Sequence, residues 1–324
     1  MAAISVDEFV GTVSQGCPEG LQGYRWADGF RVGRRCSVAQ LKAEQQFRPY
    51  HKRRTECGEA EGPQGPKFCE VYCSLQARYT FSMTAINEIA PDLFRLSVYV
   101  PNIDMQFNHF LVRDEEPLLF HAGLKGMFPA LREAVGKLID PAKLRHIAWS
   151  HFESDECGAL NHWLELAPQA QPVCTLVGKL VTVDDFSIRP AFGMTADDVL
   201  KTGKYRYRFY RSPHIPHGWD AGVLFEETRQ TLFCSDLFHH FGNVDPVTSS
   251  DLIEPTRKAM QQLQQGPLAG YMPYTRQTEG VLRSLAELKP QTLAVMHGSS
   301  YIGPSDRLLT DLAGVIKENF NNGQ

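Results

Sequence analysis

Apolar positions become regular only from about residue 79 of the chain. Runs at 94–100 (FRLSVYV), 109–113 (HFLVR) and 117–121 (PLLFH), parted by turn residues, predict three β-strands. Phe128, Leu131, Val135, Leu138 and Ile139 share one helical stripe and predict a helix over 128–139. Short apolar runs predict further strands at 145–149, 172–177, 205–211, 222–227, 231–234 and 292–296. Helical spacing marks 256–264, 278–288 and 306–319. Strands first, then strands mixed with helices, predict a layered α/β sandwich.

Residues 1–78 differ. They hold five of the eight cysteines and a Gly/Pro cluster at 58–66 (GEAEGPQGP), and they read as a partly irregular N-terminal extension before a domain at 79–324. Cys57, Cys69 and Cys73 lie in a C-x11-C-x3-C spacing, with Cys17 and Cys36 upstream. The paired C-x2-C knuckles of a structural zinc site are missing, so these read as thiols rather than as a metal knot.

The 324 residues carry a formal net charge of −4, with 43% hydrophobic and 22% charged residues, which excludes global disorder. No apolar run approaches the roughly 18 residues of a membrane helix. The first residues (MAAISVDEFVGTVSQ) lack the apolar core of an export signal, so reduced cysteines and a cytoplasmic location are expected. Residues 31–54 hold Arg31, Arg34, Arg35, Lys42, Arg48, Lys52, Arg53 and Arg54 against Glu44 alone, a net +7. Such a segment suits a solvated face or a partner surface. The acidic remainder argues against nucleic acid as the main ligand.

Candidate chemistry concentrates in Ser150-His151-Phe152-Glu153-Ser154-Asp155-Glu156, which follows a short apolar strand. Side chains there sit at a strand's C-terminal end, where α/β sheets place their sites. An H-x-E-x-D loop alone is a weak signal. Three later positions strengthen it: a histidine in HIPHGWDAG, Asp236 ending TLFCSD, and His297 after TLAVM. Each is a metal-ligand type emerging from a buried strand or its loop. HIPH offers both His214 and His217. His109, His121 and His146 lie in or beside strands and read as packing residues. No G-x-S-x-G elbow accompanies a Ser-His-Asp set.

This order of H-x-E-x-D, His, strand-terminal Ser-Asp and His-Gly resembles the metallo-β-lactamase superfamily. Within it the likeness is to flavodiiron proteins and stand-alone oxygen-binding di-iron proteins, over roughly residues 85–300. INEIAPDLFRLSVYVP is similar to the family's opening hairpin, and FCSDLF to its strand ending in a bridging aspartate. The resemblance implies a four-layer αββα sandwich. It implies one metal held by His151, Glu153 and His217 and a second by Asp155 and His297, with Asp236 bridging. It favours His217 over His214, because the family's ligand precedes a turn like Gly218-Trp219-Asp220. Asp236 and Glu153 would be the carboxylates that act in the reaction. Tyr271 and Tyr274 are similar to the family's pocket-lining tyrosines. Glu156 stands where the family often has a histidine.

The resemblance also implies function. Zinc hydrolases of the superfamily carry H-x-H-x-D-H, and carboxylates in place of imidazoles harden the site toward iron or manganese. Three carboxylates and a bridging hydroxide neutralise two divalent ions, and the oxidised pair would favour an anionic ligand. The expectation is therefore two iron ions (zinc or manganese as alternatives) and reaction with, or binding of, O2 or NO. A dinuclear zinc hydrolase and a non-enzymatic oxygen sensor are the other readings. One helix follows the core and no G-x-G-x-x-G pattern is present, so no FMN site is expected in this chain. A separate rubredoxin-like or flavoprotein donor and a homodimer are expected partners.

Overall fold

The structure, a computed structural model, describes residues 84–321. The expected extension over 1–78, its cysteines, its basic segment and its boundary lie outside the described residues. Strands β1 (Ala85–Ala90), β2 (Leu93–Val100), β3 (Met105–Val112), β4 (Leu118–Phe120), β5 (His146–Ala148), β6 (Gln171–Thr175) and β7 (Phe192–Met194) form one sheet in that order. The chain then enters a second sheet with β8 (Leu200–Lys201), β9 (Arg206–Arg211), β10 (Gly222–Glu226), β11 (Thr231–Ser235), β12 (Val247–Thr248), β13 (Thr292–Val295) and β14 (Ser300–Ile302). Its spatial order is β12-β14-β13-β11-β10-β9-β8. The first sheet is antiparallel from β1 to β4 and parallel from β4 to β7.

Helices α1 (Phe128–Gly136) and α2 (Leu160–Leu166) cover the first sheet. Helices α3 (Ile253–Leu263), α4 (Thr278–Glu287) and α5 (Asp306–Phe320) cover the second. The period-2 alternation of the strands builds the layers. Leu111 packs outward with Leu131, Val135, Leu160 and Trp163, while Phe110 and Val112 pack between the sheets. On the second sheet Val223, Phe225, Leu232, Cys234, Leu293 and Val295 face the helices, and Leu224, Phe233 and Ala294 face the first sheet. Strands buried on both faces read as continuous apolar runs, as these do. Helix α5 buries Leu308, Leu309, Leu312, Ala313, Val315, Ile316 and Phe320, a three-to-four stripe. Three apolar interfaces between four layers make the αββα sandwich that the resemblance implied.

Strand β3 begins at Met105, four residues before the expected start at 109, because its polar positions are buried and bonded. Asn108 Nδ2 donates to the carbonyls of Val295 (2.9 Å) and Gly298 (2.8 Å). Arg95 Nη2 donates to Gln106 Oε1 (2.9 Å) and to Gly298 O (3.0 Å). The first sheet thereby grips the turn after β13. Gly298 sits at φ +118°, and a Cβ there would lie 2.3–2.5 Å from ring atoms of His240. Gly298→Ala is therefore expected to cost at least ~3 kcal/mol, from left-handed strain plus overpacking. Chemical denaturation of the two proteins checks this, and equal midpoints would contradict the packing described.

Candidate metal centre

Four loops leaving strand ends meet at one edge of the sandwich. His151 lies three residues beyond β5, and Glu153 and Asp155 flank the start of the helical turn Ser154–Cys157. His217 lies in the β9–β10 connection, Asp236 directly after β11, and His297 two residues beyond β13. All six side chains line one cavity of about 990 Å³. His214 is exposed and takes no part in its lining.

The six fall into two groups. His151 Nε2 and His217 Nε2 lie 2.8 Å apart, and Glu153 Oε2 stands 3.0 Å from the first and 2.7 Å from the second. Asp236 Oδ2 completes this group at 3.7 Å from His151 Nε2 and 3.6 Å from His217 Nε2. One donor atom from each of these four residues falls within 4.8 Å of all the others. The other oxygen of Asp236 points elsewhere: Oδ1 lies 3.1 Å from His297 Nε2, which is 3.4 Å from Asp155 Oδ2.

Electrostatics favour positive charge here. Burial opposes the charge on His151, but Glu156, Glu153 and Asp236 outweigh it and raise its pKa to about 10. Burial likewise opposes the charge on His297, and Asp155 and Asp236 raise it well above the imidazole range. Hydrogen bonds from His151 and His217 hold Glu153 down at about 2. Burial pushes Asp236 up, yet His297, His217 and His151 hold it below the usual carboxylate range. Asp155 Oδ1, Asp236 Oδ1 and His217 Nδ1 are buried without a hydrogen-bond partner. Buried carboxylate oxygens with no donor are costly, and a cation among them removes that cost. The donor set therefore fits a pair of metal ions.

Hydrogen bonds behind the cavity wall orient the rings. His297 Nδ1 donates to Gln106 O at 2.8 Å, so Nε2 is the nitrogen presented to the cavity. Asp220 Oδ2 accepts from Phe152 N–H (3.0 Å) and ties the His217 loop to the His151 loop. His239 and Tyr271 also line the cavity, 2.8 Å apart between Nε2 and the phenol oxygen, while His239 Nδ1 lies 3.0 Å from Asp236 O. Tyr274 stands away from the cavity, donating to Glu279. Glu156 does not line the cavity either. The thiols of Cys157 and Cys234 donate to carbonyl oxygens, and burial pushes their pKa values up. His109, His121 and His146 bond to His121 O, Asn108 O and Glu116 respectively, as packing residues do.

The family model described as ODP family beta lactamase matches residues 105–298, more than half of the chain. The chain belongs to this family. The match runs from the first residue of β3 to the turn gripped by Arg95 and Asn108, so it takes in all six candidate ligands of this ODP family beta lactamase. Over 198 residues the chain is 29% identical to diflavin flavoprotein A 1 of Thermosynechococcus vestitus, covering 59% of this chain and 33% of that protein. It is 22% identical over 138 residues to flavo-diiron protein FprA2 of Clostridium acetobutylicum, covering 42% and 34%. The ODP family chain thus spans about a third of the length of these relatives. In fold it is similar to rubredoxin oxygen:oxidoreductase of Desulfovibrio gigas, with a TM-score of 0.61 at 19% identity, covering 72% of this chain and 61% of that one. The metallo-β-lactamase resemblance read from the sequence is correct, and the relatives named above include a flavo-diiron protein, in line with the likeness to flavodiiron proteins.

Among the described residues no helix is long and apolar enough to cross a membrane.

Proposed function

We propose that this chain holds two iron ions between His151, Glu153, His217, Asp155, His297 and a bridging Asp236, and that it reacts with or binds O2 or NO. The observation that carries the reading is the split orientation of Asp236, whose Oδ2 faces His151 and His217 while Oδ1 faces His297. One carboxylate serving two donor groups is what a dinuclear centre requires. Three carboxylates with three imidazoles make a harder set than histidines alone, which supports iron over zinc. Two iron ions so held would supply Lewis acidity and two electrons to a small diatomic ligand. The chain's own residues do the rest: His297 is aimed by Gln106, half-exposed Glu153 stands at the mouth, and Phe107, Ile103 and Leu268 give the cavity an apolar side.

Electrons would come from a rubredoxin-like or flavoprotein donor, since the relatives named above are flavoproteins of greater length. We extend the proposal to a homodimer on the habit of the resembling family.

Anaerobic reconstitution with Fe(II), followed by optical spectra on addition of O2, tests the reading. Two iron ions per chain and a new visible or near-ultraviolet absorption on oxygenation are expected. A stable oxygenated species without turnover would favour the sensor form of the proposal. Zinc in protein purified without added metal, with no response of the iron form to O2, would favour the hydrolase.

A further inference from the structure

We propose that Glu156 is a positioning residue that determines which nitrogen of His151 is free to bind metal; this rests on the metal-centre reading above. Glu156 is fully buried and belongs to the helical turn that also carries Asp155. Its Oε2 accepts the backbone N–H groups of Ser150 (2.6 Å) and His151 (2.9 Å). Its Oε1 accepts the hydroxyl of Ser235, the residue before Asp236. One carboxylate therefore ties together the loops that carry His151, Asp155 and Asp236.

The consequence for His151 follows from what faces its Nδ1. Glu156 Oε1 is 3.3 Å away and Ser235 Oγ is 3.5 Å away. The serine's only proton is committed to Glu156, so both neighbours present lone pairs. Nδ1 then keeps its proton when a metal displaces the one on Nε2, the nitrogen that faces Glu153, His217 and Asp236. A carboxylate behind a ligating imidazole also raises its basicity toward the metal.

Two roles are separable here, and isosteric substitutions separate them. Glu156→Gln keeps the length and retains an oxygen for the two backbone N–H groups. Its amide N–H group would face Ser235 and His151 Nδ1, turning an acceptor into a donor and favouring the tautomer with hydrogen on Nε2. Glu156→Asp keeps an acceptor but retracts it. A group that only caps the loop predicts that the glutamine variant binds metal better than the aspartate variant. The positioning role predicts the reverse order.

Co(II) titration of the full chain, read by its visible d–d absorption, measures this without turnover. The wild-type chain is expected to bind two Co(II). Glu156→Gln should bind at the His151 group ~10–100-fold more weakly, the range of lost outer-sphere partners, with Glu156→Asp in between. Ser235→Ala removes one hydrogen bond to the carboxylate but leaves that carboxylate facing Nδ1, so its loss of affinity should be smaller than that of Glu156→Asp. It also serves as the test should the glutamine variant fail to fold, as judged by circular dichroism of the metal-free protein. Wild-type affinity in Glu156→Gln, or a loss in Ser235→Ala larger than in Glu156→Asp, overturns the inference and leaves the metal centre standing. A wild-type chain that binds fewer than two Co(II) overturns both.

Discussion

Asp236→Ala is expected to remove metal from both positions of the centre, not from one. Each oxygen of this carboxylate faces a different donor group, Oδ2 toward His151 and His217 and Oδ1 toward His297. Truncation strips one group to His151, Glu153 and His217, and the other to Asp155 and His297. It also deletes the negative charge that offsets the repulsion between two cations. Loss of an outer-sphere partner costs ~10–100-fold in metal affinity, so loss of a shared direct ligand should exceed ~100-fold at each position. His297→Ala provides the contrast, since it should empty its own position and spare the four-residue group around His151. Metal analysis after exhaustive dialysis distinguishes the two variants. One tightly held ion per chain in Asp236→Ala would show that the carboxylate serves a single position.

The layers were legible where burial is two-sided. Strands β10, β11 and β13 carry nearly continuous apolar runs, because one face meets helices and the other meets the first sheet. Strands β7, β8, β12 and β14 span two or three residues and hold too few positions to show a period. The start of β3 was hidden for a different reason. Gln106 and Asn108 look like turn residues, yet both are buried, one bonding to Asn243 and Val244 and the other to the turn at Val295–Gly298. Polarity there reflects contact with a distant loop and not exposure, and a local pattern holds no sign of that contact.

The candidate site divides the same way. His151, Asp236 and His297 close apolar strands, and strand ends are where a sheet delivers side chains to a mouth. His217 lies six residues beyond β9 and five before β10, inside a loop that has no period of its own. Its selection over His214 rested on the resemblance, and the structure puts His217 in the cavity and His214 at the surface. Glu156 was unreadable in the sequence. As the third acidic residue of Glu153-Ser154-Asp155-Glu156 it looks like another ligand or a solvated charge. Only the helical turn of Ser154–Cys157 sends it behind His151 while Asp155 faces the cavity. His239 and Tyr271 pair across 32 positions of sequence, a contact made by the tertiary fold alone.

Oxygen uptake by the iron-loaded chain is expected to stay near background with NADH alone and to rise at least ~10-fold with a flavoprotein donor, or with a rubredoxin-like carrier that such a flavoprotein keeps reduced. Reduced nicotinamide gives up electrons as a hydride pair, whereas each iron ion accepts them singly; a flavin takes the pair and releases single electrons, directly or through a one-electron iron carrier that it reduces. The sequence contains no G-x-G-x-x-G run to hold a dinucleotide. Access for a donor is available where Phe152 of the cavity lining is 39% exposed beside Glu153, and Trp219, two residues from His217 in the sequence, is 57% exposed. An electron carrier docking there would stand close to the His151 group, so its supply and not the chemistry at the metals should set the rate. Oxygen-electrode traces with NADH, then with the added donor, measure this directly. A full rate on NADH alone would remove the need for a carrier. No uptake under either condition, together with efficient hydrolysis of a thioester or a lactam by the zinc-loaded chain, would transfer the centre to the hydrolases: the same Asp236 would then hold two zinc ions around a hydroxide nucleophile.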